Sequence, residues 1–219
     1  MLEIKNYLNN DYKAIESFET IEFVKDFFAD VSFSHFPIVE ENVYIGSISS
    51  FDIENFDSQK TLKDYRYVLE GFFARPSMIW LDILEIFAKN NTNIIPVLDE
   101  KNNYVGYYEI EDIMKFFNQT PFLREPGGII VIEKASLDFS MSQAVQIVES
   151  NNGKVLGLII SESSIDKTQA TLKIALGAMN EIIQTFRRYN YDIISEHQED
   201  SYITNLKERS DYLDKYLNI

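Results

Sequence analysis

The chain has no cysteine among its 219 residues, so disulfides, thiol nucleophiles and thiolate metal centres are all excluded. Histidine is nearly as scarce. His35 and His197 are the only two and lie far apart in sequence, which argues against a histidine-built catalytic or metal centre. Positive charge is also short: 20 Lys and Arg face 35 Asp and Glu, a formal net charge of -15. A surface this acidic repels phosphate backbones and anionic lipid head groups, so neither nucleic acid nor membrane is an expected partner. The start, Met1-Leu2-Glu3-Ile4-Lys5-Asn6, carries an acid at once and no apolar run. It reads as neither signal peptide nor membrane span, and the expected location is cytoplasmic. No Gly-Lys-Ser/Thr phosphate loop, Gly-x-Ser-x-Gly elbow or Gly-x-Gly-x-x-Gly fingerprint occurs. Carboxylate pairs abound, as such acidity dictates, but none has a base or metal partner to match, and no enzyme is expected.

What is present is a core-forming composition, 45% hydrophobic and 14% aromatic, enough for one large or two modest domains. It also contains a repeat. Phe36-Pro37-Ile38-Val39, a polar turn and Tyr44-Ile45-Gly46-Ser47-Ile48-Ser49-Ser50-Phe51-Asp52-Ile53 are echoed about sixty positions on. The echo is Ile95-Pro96-Val97-Leu98, a polar turn and Tyr104-Val105-Gly106-Tyr107-Tyr108-Glu109-Ile110-Glu111-Asp112-Ile113. A repeat of this kind sets the architecture of its whole segment.

In the first copy the pattern predicts a strand at 13–16 and a helix over 21–28 capped by Thr20. Strands at 36–39 and 43–47 follow about the Glu40-Glu41-Asn42 turn, then a helix starting near Asp52. The second copy predicts a strand over 68–73, a helix over 77–88, strands at 93–98 and 104–108 and a helix over 111–117. Each copy thus reads βαββα. Met78 and Trp80 fall at core spacing on their helix.

These residues resemble the CBS domain family. Apolar-Pro-apolar-apolar, a turn and Gly-x-apolar-Ser/Thr-x-x-Asp look like the second half of a CBS domain, and two in tandem look like a CBS pair, or Bateman module. The resemblance implies copies at about 1–58 and 59–120, facing each other across two clefts. In many members such clefts bind adenosine-containing ligands of the AMP, ATP or S-adenosylmethionine type. It carries a candidate ligand site onto Ile15, Phe36, Pro37, Ile38, Ser49 and Asp52 in the first copy and Pro96, Val97 and Asp112 in the second. Ser49 and a helix start could face an anion while Asp52 accepts from a ribose diol. Alternatively, Ser49 or Ser50 caps the helix and Asp52 favours its positive end. His35 likewise reads as a structural residue or as a ligand contact.

The second copy departs from the pattern, with Glu109 in place of Ser49. A carboxylate about 5 Å from a phosphate costs about 3 kcal/mol at an effective dielectric near 20, more than a hundredfold in affinity. The first copy is therefore the better phosphate site, and the second suits a cation-bearing ligand, a metal-complexed phosphate or none. Basic residues that could meet a phosphate are few: Lys60, Lys63, Arg66 and Arg75, the last read as a solvated surface charge.

Residues 121–126 read as a linker, with Pro121 breaking the helix and Pro126-Gly127-Gly128 punctuating again. Over 127–199 the order strand 128–133, helix 140–149, strands 154–161 and 170–176, helix 180–189 and strand 192–196 is βαββαβ, a ferredoxin-like split unit. It resembles an ACT-type domain, and the whole is similar to acetoin-utilisation AcuB-like proteins, although no Gly stands in the loop Ser136-Leu137-Asp138-Phe139-Ser140-Met141. That loop puts an amino-acid ligand in doubt and favours an assembling role. The apolar spacing of Ile203, Leu206, Leu213 and Leu217 predicts a C-terminal amphipathic helix over 200–219. The expected fold class is α+β, and the resemblance implies a non-enzymatic regulator with no cofactor, a homodimer through helices bearing Phe27, Phe28, Trp80 and Phe87, and a regulated protein partner. The alternative is a dimeric scaffold that binds no ligand.

Overall fold

The computed structural model describes residues 4–175, 177 and 179–195. The chain divides into two compact units, Met1–Asn118 and Gln119–Ile219.

In the first unit, Thr20 caps α1 (Ile21–Asp30), its hydroxyl accepting from the Phe23 amide at 3.3 Å. The short strand β1 (Ile15–Glu16) runs parallel to β2 (His35–Glu40), which pairs antiparallel with β3 (Val43–Ser49). Glu41 and Asn42 both take positive φ in the hairpin turn, the geometry whose twist matches two antiparallel strands. A single turn, α2 (Ser50–Ile53), follows. The second copy supplies α3 (Trp80–Asn90), the hairpin β4 (Ile94–Leu98) and β5 (Tyr104–Glu109), and α4 (Ile110–Asn118). β2 from His35 to Val39 and all of β4 are buried, as expected of strands covered on both faces.

The duplication extends to irregularities. Pairing register shifts between Ile38 and Val39 and again between Val97 and Leu98. Opposite each shift is a glycine, Gly46 at φ 146° and Gly106 at φ 149°. The Ser50 amide donates to Ser34 O at 2.9 Å and the equivalent Ile110 amide to Asn93 O at 3.0 Å. At the other end, Tyr44 N donates to Asn102 O and Tyr104 N to Asn42 O, a reciprocal pair. Each copy also sends its leading segment to the other: Asn9 bridges Tyr107, and Glu70 bridges Ser47. The cores are exchanged accordingly, with Ile94 and Tyr107 in the first and Ile4 in the second.

Two expectations are corrected here. Residues 68–73 form no strand, so the second copy is not a full βαββα. Leu62–Val68 is a 3₁₀ helix, and the following chain makes only single bridges, Glu70 to Ser47 and Ala74 to Val97. Helix α3 begins at Trp80 rather than 77, because Arg75-Pro76-Ser77-Met78 closes a turn through Met78 N to Arg75 O at 3.0 Å.

In the second unit, β6 (Gly127–Ala135), α6 (Met141–Ser150), β7 (Val155–Ser163), β8 (Lys167–Ala175), α7 (Met179–Arg188) and β9 (Asp192–Ile193) follow in order. The antiparallel sheet has the order β7-β8-β6-β9. Ile130, Ile132, Ala170, Leu172 and Ile174 pack against Ala144, Ile147, Val148, Ile182, Ile183 and Phe186. Ser140 caps α6 by accepting from Gln143 N at 3.3 Å. The expected linker is partly ordered: α5 (Pro121–Arg124) packs on the sheet, where a Cβ on Gly157 would meet the Phe122 ring at 2.2 Å. The last strand is shorter than the expected 192–196: β9 ends at Ile193, and Ile194 and Ser195 lie outside it. Glu196 and the expected C-terminal helix over 200–219 lie outside the described residues.

Candidate functional site

The starts of α2 and α4 occupy equivalent places in the two copies but carry different chemistry. Ser49 ends β3 opposite His35, and its hydroxyl accepts from the Phe51 amide at 3.2 Å, so it caps the turn. Asp52 is half-buried in that turn. The segment arriving from the second copy places Glu70 beside them, with Ser47 N to Glu70 O at 2.8 Å and Glu70 N to Ser47 O at 2.9 Å. Glu70 Oε1 stands 3.4 Å from His35 Nε2, while His35 Nδ1 meets Ser34 Oγ at 3.0 Å. His35 is thus buried and held from both sides, the Phe72 ring standing edge-on to it. Nearby, the Tyr44 hydroxyl donates to Phe72 O at 2.8 Å and meets Ser47 Oγ at 2.9 Å. Burial pushes this phenol up to about 12, against the opposing pull of those two hydrogen bonds and with a smaller push from Glu70.

At the start of α4, Asn9 Nδ2 donates to Glu109 Oε1 at 3.0 Å, and the Asn9 backbone pairs with Tyr107. Asp112, in the first turn, holds Lys115 Nζ at 2.9 Å. Tyr107 is fully buried and its hydroxyl has no hydrogen-bond partner. Its pKa is raised by burial first, then by the charges of Glu109 and Asp11, by Tyr12 and by Asp112.

The other sequence-derived positions sit deeper. Ile15, Phe36 and Ile38 belong to the first core and Val97 to the second, all with at most 5% exposure. Pro37 and Pro96 are buried opposite Ser47 and Tyr107. Ile38 lies three residues along β2 from His35, about 10 Å at a strand's rise of about 3.3 Å per residue. Ser49 with Asp52 and Ile15 with Ile38 therefore stand towards different ends of one sheet. A depression of about 600 Å³ is lined by Lys25, Phe28, Ser34, Ser50 and Glu54 among others, and one of about 510 Å³ by Tyr12, Lys13, Asn42 and Tyr104 among others.

Arg75 is not the solvated charge its sequence context suggested. It bonds Asp99 O and Asn102 Oδ1 in the second hairpin turn and lies over the Phe73 ring. Arg66 pairs with Glu40 at 3.2 Å, and Lys60 lies over the Tyr65 ring. The residues that sequence reasoning missed are Asn9, Asp11 and Glu70, all brought in by the exchanged segments. Among the described residues, no group of three His, Asp or Glu is placed to hold a metal ion, and no helix is long and apolar enough to cross a membrane.

Residues 70–119 match the CBS domain family. The chain is 22% identical over 115 residues to the uncharacterized protein MJ0188 of Methanocaldococcus jannaschii, covering 52% of this chain and 43% of that protein. It is 28% identical over 101 residues to the DNA-directed RNA polymerase subunit beta' of Buchnera aphidicola, covering 45% of this chain and 7% of the subunit. The chain thus spans less than half the length of these curated relatives. Among solved structures, it is similar to the CBS domain pair/ACT domain protein TM0892 of Thermotoga maritima, with TM-score 0.48 and 16% identity over 53% of this chain and 96% of that one. CBSX2 in complex with AMP gives TM-score 0.46 and 10% identity over 54% and 98%. The CBS domains of a Streptococcus pneumoniae transcriptional regulator give 0.47 and 16% over 52% and 98%.

Proposed function

We propose that the chain is a non-enzymatic regulator whose first unit is a CBS pair that binds an adenine-containing ligand of the AMP, ATP or S-adenosylmethionine type. The second unit, read as an ACT-like domain, carries the response to a partner protein, and the working form is a homodimer in the cytoplasm. The observation that carries this reading is the duplicated hairpin-and-helix unit, its second copy inside the matched residues 70–119 and its first keeping Ser49 and Asp52 about a helix start. In this reading Asp52 accepts from a ribose diol, Ser49 donates its free hydroxyl proton to an anion, and the backbones at Ile15, Pro37 and Ile38 line the base. Pro96, Val97 and Asp112 are the counterparts in the second copy.

A second reading, a scaffold that binds no ligand, is favoured by one feature. Each helix start has its own carboxylate, Glu70 with His35 and Glu109 with Asn9, while Arg66 and Arg75 are engaged elsewhere. Thermal unfolding with AMP, ADP, ATP, S-adenosylmethionine and NAD separates the two, because a ligand of the native state adds about 2.7 kcal/mol at a hundred times its Kd. A shift for one ligand, lost in Asp52→Ala and kept in Asp112→Ala, supports the sensor with its working site in the first copy. No shift from any of them transfers the conclusion to the scaffold.

A further inference from the structure

We propose that the face of the second unit's sheet turned away from α6 and α7 is the docking surface for this chain's own residues 200–219. The inference goes beyond the sensor reading and does not depend on a ligand in the first unit. Strand alternation defines the face. Ile130, Ile132, Leu158, Ile160 and Leu172 join the core with α6 and α7, so the residues between them stand on the other side. One row there crosses the sheet: Ile159 on β7 opposite Thr171 on β8, Thr171 opposite Val131 on β6, and Val131 beside Ile194, just past β9, whose amide donates to Val131 O at 2.8 Å. Ile159 is 48% exposed, Ile194 50%, and Ile129, two residues along β6 from the row, 52%. The strip is bounded at one end by α5, whose Phe122 lies at Gly157, and at the other by Glu133 with Lys167 and Gln169. An apolar patch rimmed by polar groups marks a contact surface.

Reach, pattern, charge and area select the occupant. The described chain leaves the sheet at Ser195, whose Oγ accepts from Val131 N at 3.0 Å, so the residues that follow start beside the row. From Ser195 to Asp200 the chain reaches at most about 18 Å, which ties the start of 200–219 to this edge. Ile203, Leu206, Leu213 and Leu217 recur at helical spacing, and a helix carrying them is about 21 Å long from 203 to 217. The row across the strands measures about 14 Å, so one such helix laid over it covers it. The segment is also close to neutral, Asp200, Glu208, Asp211 and Asp214 standing against Lys207, Arg209 and Lys215, in a chain of net charge -15. A second copy fits less well. At strand spacings the strip offers roughly 200 Å², against about 800 Å² per partner in a standard interface, and two chains of that charge repel each other.

The absence of cysteine makes any introduced pair the sole one in the full chain, and the test uses this. Under mild oxidation, Ile159→Cys should bridge within one chain to Leu206→Cys or Leu213→Cys at least tenfold faster than to Glu208→Cys, which the helical period puts opposite the apolar stripe. In the cysteine-free chain, amide exchange over 203–217 should be slow and should quicken at least tenfold in Ile129→Asp combined with Ile159→Asp, while β8 and the first unit keep their protection. Both isoleucines are already half-exposed, so these changes address docking rather than folding. Bridges that join two chains would give the face to a second copy and overturn the proposal. Equal bridging rates for the three pairs, or exchange over 203–217 indifferent to both substitutions, would leave the face to a separate partner and overturn it as well.

Discussion

At Gly106 the backbone stands at φ 149°, and a Cβ there would lie 2.5 Å from Asn9 O and 3.0 Å from a Leu8 methyl. Two penalties act together, a backbone region that L-residues avoid and a clash with main chain that cannot yield as a side-chain tip would. Gly106→Ala is expected to destabilise the first unit by about 2–4 kcal/mol, read from urea unfolding, and to release Asn9 from its bridge. A loss under about 1 kcal/mol would mean that the exchanged segment is not held as described. Tyr44 offers a second residue-scale check. Its folded pKa is raised to about 12, above the unfolded value near 10, so the folded state holds this proton more tightly. The associated stability is fully present below about pH 10 and is lost as pH rises through about 12, on the order of 2 kcal/mol. Tyr44→Phe should flatten that part of the stability curve, and an unchanged slope would remove Tyr44 as its source.

At the scale of elements, α5 is attached to the second unit by a knob and a tether. Phe122 fills the space that Gly157 leaves on β7, and Lys173, itself buried, donates to Leu123 O at 3.2 Å. Gly157→Leu should expel Phe122 and expose α5 to hydrogen exchange while β6 and β8 keep their protection; exchange rates unchanged at 121–124 would show that Phe122 does not hold the turn. Nothing in Pro121-Phe122-Leu123-Arg124 announces this docking, because its partner is an absence of side chain some thirty-five residues away. The same limit explains what the sequence revealed of the rest. Hairpins and helices, set by local pattern and caps such as Thr20 and Ser140, were legible to within a few residues. The segment 68–73 was not. Its β-prone residues suggest a strand, yet it leaves a 3₁₀ helix at Val68 and makes one single bridge, from Glu70 to the first copy, before Ala74, just beyond it, bridges the second. The candidate site divides likewise: Ser49, Asp52, Glu109 and Asp112 could be read from the repeat, whereas Asn9, Asp11 and Glu70 reach it only through the exchange of segments.

For the whole molecule, the excess of 35 acidic over 20 basic side chains sets how stability responds to salt. Two effects oppose each other. Exposed ion pairs such as Arg66–Glu40 at 3.2 Å and Lys154–Glu125 at 3.5 Å weaken as salt screens them, but such pairs contribute only about 0–1 kcal/mol each. Repulsion among the uncompensated carboxylates is screened as well, and it acts over the whole surface against the compact state. The Debye length falls from about 30 Å at 0.01 M to about 10 Å at 0.1 M, so most of that relief comes early. With a net charge of -15 the repulsive term should win. Raising NaCl from about 10 mM to about 150 mM should therefore raise Tm by several degrees, each 1 kcal/mol being worth about 2–4 °C at this size. The rise should be indifferent to which monovalent cation is used, which separates general screening from occupation of a site. A Tm that falls with salt would mean that ion pairs, and not self-repulsion, dominate the surface of this chain.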